Sequence, residues 1–229
     1  MRYICIIQSR TNSFRLPGKC FLPVGGMPLA VLCAKRAISN FAETWVATSA
    51  SPLDNLLADR LKAANIQFYR GSLDCVLDRF CSLCRLRKIN DNDVVIRLTG
   101  DNPIVDRVFL EKMKNIWESH DLEYLTGEPS DLKKYGWPKG LSAEFFRAGL
   151  LYASQSLTAD KLNQEHVTLA IRNKAKKTAH MAEFEQFPFV FKKSFGIDTL
   201  DDYLFVSSLF DKVRWDVQYT KVLKLGAGL

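Results

Sequence analysis

No apolar run in this chain approaches the ~18 residues that a membrane helix needs, so no membrane partner is expected. The first apolar run is too short, and too soon broken by polar residues, for a signal peptide; the expected location is the cytoplasm. There is no GxxxxGK[ST] and no GxGxxG, which excludes a Walker A loop and the dinucleotide-binding fingerprint. There is no GxSxG elbow and no HExxH, which removes two common hydrolase and metalloprotease sites. Nothing matches an RRM, KH or zinc-finger signature, so no nucleic-acid partner is expected. Histidine is scarce, three in all. His120 and His180 have no suggestive company, and His166 stands alone in Gln164-Glu165-His166-Val167-Thr168. Six cysteines are present, and Cys81 and Cys84 form a CxxC. A zinc site needs a second pair or histidines at ligand spacing, and neither is present. These two thiols are expected on the buried face of a helix with Leu77 and Phe80. Internal repeats and low-complexity segments are also missing.

What remains is an ordinary globular composition. The chain has 229 residues, 47% of them hydrophobic. That is one domain over 1–229, with an excursion at about 120–175 where the strand–helix rhythm changes. The net charge of +7 suits an anionic partner. Because the basic residues are spread along the chain, a small anion fits better than nucleic acid.

Strands and helices alternate through the first half. Strands are predicted at 2–8, 44–48, 66–69 and 94–98, and helices at 28–39, 51–64, 74–87 and 106–118. This rhythm predicts an α/β fold, a mostly parallel sheet in a three-layer α/β/α sandwich. After residue 120 a strand is expected at 121–125 and an irregular stretch at 126–142. Helices follow at 144–156 and 161–173, strands at 177–184 and 189–195, and a final helix at 199–213.

Parallel sheets bind ligands beyond the carboxyl ends of their strands. Three loops should meet there, 8–19, 70–79 and 99–103. Residues 10–19 read Arg-Thr-Asn-Ser-Phe-Arg-Leu-Pro-Gly-Lys. Three cations, a hydroxyl and glycine after a buried strand make a candidate phosphate loop. Asp101, in Thr99-Gly100-Asp101-Asn102-Pro103, is a candidate Mg²⁺ ligand or a turn residue bonding its own backbone. Asp198, before Thr199, is a candidate second ligand or a helix cap. Arg70-Gly71-Ser72 is a candidate base-reading segment, and Asp78 with Arg79 is either part of it or a surface ion pair. Asp91-Asn92-Asp93 has the spelling of a glycosyltransferase metal motif, but it precedes a strand.

Taken together these blocks resemble the sugar cytidylyltransferases, the group of the CMP-KDO and CMP-sialic acid synthetases, nearest the spore-coat polysaccharide SpsF-like branch. The resemblance lies in Gln8-Ser9-Arg10, Ser13, Arg15-Leu16-Pro17-Gly18-Lys19, Arg70-Gly71-Ser72, Val76-Leu77-Asp78-Arg79 and Arg97 to Pro103. It continues in Gly140-Leu141, Glu144, Glu165-His166-Val167-Thr168 and Asp198-Thr199. It implies a nucleotide-diphospho-sugar transferase fold, and CTP plus a sugar-like acceptor as partners. On that resemblance Arg10, Arg15 and Lys19 hold the triphosphate, Ser13 helps position it, and Gln8 is a further nucleotide-binding residue. Arg10, Lys19 and Asp101 act in catalysis, and Asp101 and Asp198 hold Mg²⁺. Arg70, Gly71, Ser72 and Thr99 face the base and ribose, while Ser142, Glu144 and His166 face the acceptor. Two positions depart from the family pattern. Ser9 stands where a small alanine is usual. Ser142 stands where many relatives have aspartate, a loss that Glu144 is placed to offset.

The expected function is Mg²⁺-dependent transfer of CMP from CTP to a sugar or sugar-like acid, releasing pyrophosphate, for polysaccharide or glycoconjugate synthesis. The resemblance also implies that the excursion at about 120–175 shapes the acceptor pocket or builds a homodimer contact. The alternatives are a nucleotidyltransferase using another NTP, a nucleotide-sugar-dependent glycosyltransferase, and a non-catalytic binding module.

Overall fold

The computed structural model describes residues 1–129, 131–155 and 167–229. The first strand, β1 (Tyr3–Gln8), is buried almost throughout. A continuous apolar run of this kind suits a strand covered on both faces. A small hairpin, β2 (Pro23–Val24) and β3 (Met27–Pro28), leads into α1 (Leu29–Ala37). Then come β4 (Glu43–Ser49), α2 (Asn55–Ala63), β5 (Phe68–Gly71), α3 (Val76–Leu86), β6 (Val94–Thr99) and α4 (Arg107–Ser119). The second half contributes β7 (Tyr124–Thr126), α5 (Leu132–Tyr135), β8 (Glu144–Arg147), α6 (Ala148–Ser154), α7 (Leu169–Lys174) and β9 (Thr178–His180). The last helices are α8 (Leu200–Phe210) and α9 (Tyr219–Gly226).

The main sheet runs β5-β4-β1-β6-β8-β7-β9. All its pairings are parallel except those of β8, which is antiparallel to both neighbours. Alternate side chains of β1 enter opposite cores, as a period of two requires. Tyr3, Cys5 and Ile7 join α1, α4, α8 and α9, while Ile4 and Ile6 join α3, α6 and α7. The three-layer α/β/α expectation holds. From β1 the chain builds outward through β4 and β5, then returns to place β6 on the other side of β1. The direction of winding therefore reverses between β1 and β6, where open parallel sheets offer a crevice beyond the strand ends. Gln8 and Thr99 are register partners at that end.

The structure corrects several sequence expectations. Residues 144–147 form a central strand, not the start of a helix. Phe145 and Phe146 enter opposite cores, and an apolar run flowing straight into α6 hides the change of period. So β7 and β8 belong to the sheet, and the stretch set apart as an excursion is partly sheet. No strand forms over 189–195. There the alternating phenylalanines stack edge to face, Phe187 on Trp137, Phe191 on Phe195 and Phe195 on Phe205. The helix near 199–213 is not the last, since α9 follows. Its first N–H, from Tyr219, is held by Asp106 at 2.6 Å. Ser51 caps a short 3-10 turn ahead of α2. The helix expected at 161–173 survives as α7, and its earlier part lies outside the described residues. Cys81 and Cys84 are buried in α3 with Leu77 and Phe80, as expected, and burial pushes the Cys81 thiol up to about 12. Among the described residues no helix is long and apolar enough to cross a membrane.

Candidate active site

The basic loop begins where β1 ends. The Thr11 N–H donates to the buried carboxylate of Asp54 at 2.7 Å. The Ser49 N–H donates to the same carboxylate at 3.1 Å, and the Ser49 hydroxyl donates to it as well. Burial acts to raise the Asp54 pKa, but these donors outweigh it and the carboxyl titrates below its ordinary range. The loop then closes on itself, with the Gly18 N–H donating to the Thr11 carbonyl at 3.0 Å. Gly18 has φ of 71°, a left-handed conformation that favours glycine. A 3-10 turn, Lys19–Phe21, buries Cys20 and turns Lys19 over the crevice.

Asp101 leaves the end of β6 through Gly100. The Gly100 N–H donates to the Gln8 carbonyl at 2.8 Å. A Cβ on Gly100 would lie 2.9 Å from the Ser9 side chain, so residue 100 must be small. Asp198 arrives from the other end of the chain. It is not a helix cap: Thr199 caps α8 in a capping box with Asp202. The Ile197 N–H donates to the Asp101 carbonyl at 2.9 Å, and the Phe195 N–H donates to the Lys139 carbonyl at 2.8 Å. Gly140 sits so close to Gly196 that a Cβ on it would be 2.2 Å from the Gly196 nitrogen. These contacts place the loop before α8 against the loop after β6.

Lys19 joins the two carboxylates. Its Nζ donates at 2.6 Å to Asp101 Oδ2, at 3.1 Å to Asp198 Oδ1 and at 2.8 Å to the Ile197 carbonyl. Arg15 Nη2 lies 2.8 Å from Asp198 Oδ1. Burial acts against the Lys19 charge, but Asp101 and Asp198 overcome it and the ammonium pKa is raised. Burial likewise opposes the Asp198 charge, and Lys19 followed by Arg15 brings its pKa down.

Around this cluster lies a cavity of about 600 Å³. Gln8, Arg10, Ser13, Arg15, Lys19, Thr99, Asp101 and Asp198 all line it. Every residue expected at the triphosphate or metal is therefore in one place. The sequence reading assigned no site role to Asn12, Arg97, Asn102, Glu128 or Lys139, which also line the cavity, and left Arg79 open between the base-reading segment and a surface ion pair. Arg97 had a legible signal, a charge inside an otherwise apolar strand. Arg79 is 1% exposed and is no surface ion pair. Its guanidinium donates to the carbonyls of Ser72 at 2.7 Å and Leu73 at 3.3 Å.

Other expected residues stand elsewhere. Arg70 donates to the Ser49 carbonyl at 3.0 Å and the Ser51 carbonyl at 2.8 Å, bracing the turn after β4. Arg70, Gly71 and Ser72 do not line the cavity; the segment meets it through Arg79. Glu144 is buried between cations. It pairs with Arg97, receives Arg172 at 2.5 Å, and accepts from the Tyr124 hydroxyl at 2.5 Å. Burial would raise this carboxyl, but the Arg97 and Arg172 guanidiniums hold it at about 2. Arg97 also donates to Gln8 Oε1 at 3.0 Å, which links Glu144 to the cavity wall. Ser142 lines a second cavity of about 510 Å³. His166 lies outside the described residues. Asp93 is held by the backbone N–H groups of Arg2 and Asn90 at the amino end of β6, the end of the strand away from the crevice.

The arrangement offers cations to a polyanion and two carboxylates to a cation, in a crevice of ligand size. Known proteins point the same way. The family model for cytidylyltransferases matches residues 4–224. The spore coat polysaccharide biosynthesis protein SpsF of Bacillus subtilis (strain 168) is 32% identical over 234 residues, covering 96% of this chain and 92% of that protein. Among solved structures, a cytidylyltransferase from Leptospira borgpetersenii serovar Hardjo-bovis (strain JB197) superposes with a TM-score of 0.86 at 24% identity, covering 98% of this chain and 93% of that one. The CMP:2-keto-3-deoxy-manno-octonic acid synthetase complexed with CTP superposes at 0.65 with 18% identity, covering 93% of this chain and 99% of that one. The match along nearly the whole sequence, and not the shared fold alone, makes this chain a member of the cytidylyltransferase family.

Proposed function

We propose that this chain transfers CMP from CTP to an oxygen of a sugar acid or sugar-like acceptor, releasing pyrophosphate, with Mg²⁺ held by Asp101 and Asp198. One observation carries the reading. The loop of residues 10–19 and two carboxylates from distant parts of the chain face a single cavity. A relative of the same fold was solved with CTP bound, and the SpsF relative is named for spore coat polysaccharide. Polysaccharide or glycoconjugate synthesis is the setting these names support.

The residues present suit the metal. Asp101 and Asp198 already share one cation, Lys19, so they stand close enough to share another. Among the described residues no third carboxylate, histidine or cysteine completes a metal cluster with them. That suits Mg²⁺, which takes one or two carboxylates plus phosphate oxygens and water. Bound there, the ion would neutralise charge on the triphosphate.

The protein groups have separate tasks. Arg10, Arg15 and Lys19 neutralise the triphosphate and the departing pyrophosphate, the main demand of phosphoryl transfer. Arg15 and Lys19 are now paired with Asp198 and Asp101, so binding of nucleotide and metal exchanges those partners. Ser13 supplies a hydroxyl to the phosphates. Gln8, Thr99 and Arg79, which line the same cavity, face the ribose and base. The attacking oxygen belongs to the acceptor, so no protein nucleophile is needed.

The test is direct. The protein is incubated with each NTP, Mg²⁺ and a panel of acidic sugars, and pyrophosphate is followed. Release with CTP alone among the NTPs is expected. A thermal shift with a nucleotide sugar, and none with CTP, would overturn the proposal in favour of a glycosyltransferase.

A further inference from the structure

The crevice of Lys19, Asp101 and Asp198 has a neighbour. The second cavity is lined by Thr126, Ser142, Arg172 and His180, among others. Among the described residues Glu128 alone lines both cavities. Its backbone is firmly placed. The Glu128 N–H donates to Thr126 Oγ1 at 3.2 Å, and that hydroxyl donates back to the Glu128 carbonyl at 3.0 Å. The preceding Gly127 N–H donates to the Ala143 carbonyl at 2.6 Å. A Cβ on Gly127 would lie 2.9 Å from the Ala143 nitrogen, so this turn presses directly on residues 142–143.

The side chain is equally directed. Ser142 lines the second cavity beside Glu128, and Ser142, Lys139, Glu144 and Arg172 all act on the Glu128 carboxyl. Glu144, the residue placed by sequence to offset a missing aspartate at 142, is committed to Arg97, Arg172 and Tyr124. Glu128 instead brings a carboxylate to Ser142 from another strand end.

We propose that Glu128 is the base that faces the acceptor, taking the proton of the hydroxyl whose oxygen attacks the α-phosphorus. The assignment rests on the cytidylyltransferase reading. In the step, an oxygen–phosphorus bond forms and the bond from the α-phosphorus to the β-phosphate oxygen breaks. Pyrophosphate leaves with the electron pair, and the acceptor proton resides on Glu128. The body of the acceptor occupies the second cavity. Arg172 is half exposed there, and with His180 it suits an anionic, hydroxyl-bearing ligand such as a sugar acid. Burial moves the Glu128 carboxyl above its ordinary range, against the pull of Ser142 and Lys139. A base so adjusted accepts protons better near neutral pH.

The experiment compares wild type with Glu128→Gln, Glu128→Ala and Ser142→Ala. Pyrophosphate is followed with CTP, Mg²⁺ and 3-deoxy-manno-octulosonate as the probe acceptor, and with CTP and Mg²⁺ alone, where water takes the acceptor's place. Melting temperatures confirm folding. In Glu128→Gln, kcat should fall about 100-fold or more in both arms, the usual worth of a general base. The CTP dissociation constant should move less than about twofold, because Glu128 acts on the acceptor side. The acidic limb of the pH profile should vanish in that variant. Lys139, Glu144 and Arg172 remain beside the site, as do His180 and Glu183 in the second cavity, so the limb that vanishes belongs to Glu128. Ser142→Ala should stay active with its acidic limb moved to higher pH, because the lost donor favoured the charged carboxylate. A folded Glu128→Gln with kcat within about threefold of wild type overturns the assignment. Wild type that releases no pyrophosphate from CTP with any of the acidic sugars of the panel overturns the cytidylyltransferase reading, and Glu128 with it.

Discussion

The backbone carbonyl of Asp101 accepts a hydrogen bond from the Ile197 N–H at 2.9 Å. This bond ties the loop after β6 to the loop before α8. It brings Asp101 and the neighbouring Asp198 to one ammonium, that of Lys19. The spacing of the two carboxylates is thus built into the fold before a ligand arrives, the condition for electrostatic catalysis without reorganisation.

Loss of either carboxylate charge should be costly to turnover and not to folding. Asp101→Asn and Asp198→Asn are expected to lower kcat about 100-fold or more, the scale of removing one electrostatic anchor of a transition state. Steady-state rates with CTP and Mg²⁺, beside melting temperatures, check this. Near-normal turnover in Asp101→Asn would remove it from the metal site.

Lys19→Met should separate the two tasks of the cluster. Without the ammonium the carboxylates lose their bridging cation, and Mn²⁺ should bind more tightly to the nucleotide-free protein by titration calorimetry. The KM for CTP should rise about tenfold or more, the loss of one charged hydrogen bond. Unchanged Mn²⁺ affinity would contradict the shared site.

Acid should act on the sheet through Glu144. Its folded-state carboxyl titrates at about 2, against an ordinary value of 4.5. A depressed carboxyl adds stability above its unfolded pKa, and that stability fades as pH falls from 4.5 towards 2. Its size is about 3 kcal/mol. Urea unfolding of wild type across this window should show the fade. Glu144→Gln should lose a similar amount at pH 7, because Arg97 is left buried without its partner. A variant as stable as wild type at pH 7 would contradict the account.

Gly140→Ala tests the seam between the two loops. Gly140 has φ of 98°, and an added Cβ would meet the Gly196 nitrogen at 2.2 Å. The substitution should cost at least about 2 kcal/mol in urea unfolding. The survivors should show a raised KM for CTP as Asp198 moves. Unchanged stability would mean that the seam is loose.

The first half of the chain was legible because its strands are buried on both faces and its helices have one apolar side. Those patterns are local. The site residues that could be read, Arg10, Ser13, Arg15, Lys19 and Asp101, sit in compact blocks directly after strands. The strand at 144–147 was not legible, because Phe145 and Phe146 serve opposite cores and give no alternation. Phenylalanines at alternate positions in 187–191 imitate a strand while they stack as rings. Glu144 looked available because its partners Arg97 and Arg172 are distant in sequence. Arg70 looked like a ligand group because its acceptors are backbone carbonyls of another segment. Glu128 carries no motif at all. Its place between two cavities exists only after β7 and β8 pair.

The central claim is that the α-phosphate of CTP moves to an acceptor oxygen. The most direct measurement uses CTP labelled in its α-phosphate, with Mg²⁺ and 3-deoxy-manno-octulosonate or another acidic sugar. The account predicts label in a new CMP-sugar, unlabelled pyrophosphate in equal amount, and neither product with Asp101→Asn. Unchanged labelled CTP with every acidic sugar, together with turnover of a nucleotide sugar or of another NTP, would contradict it.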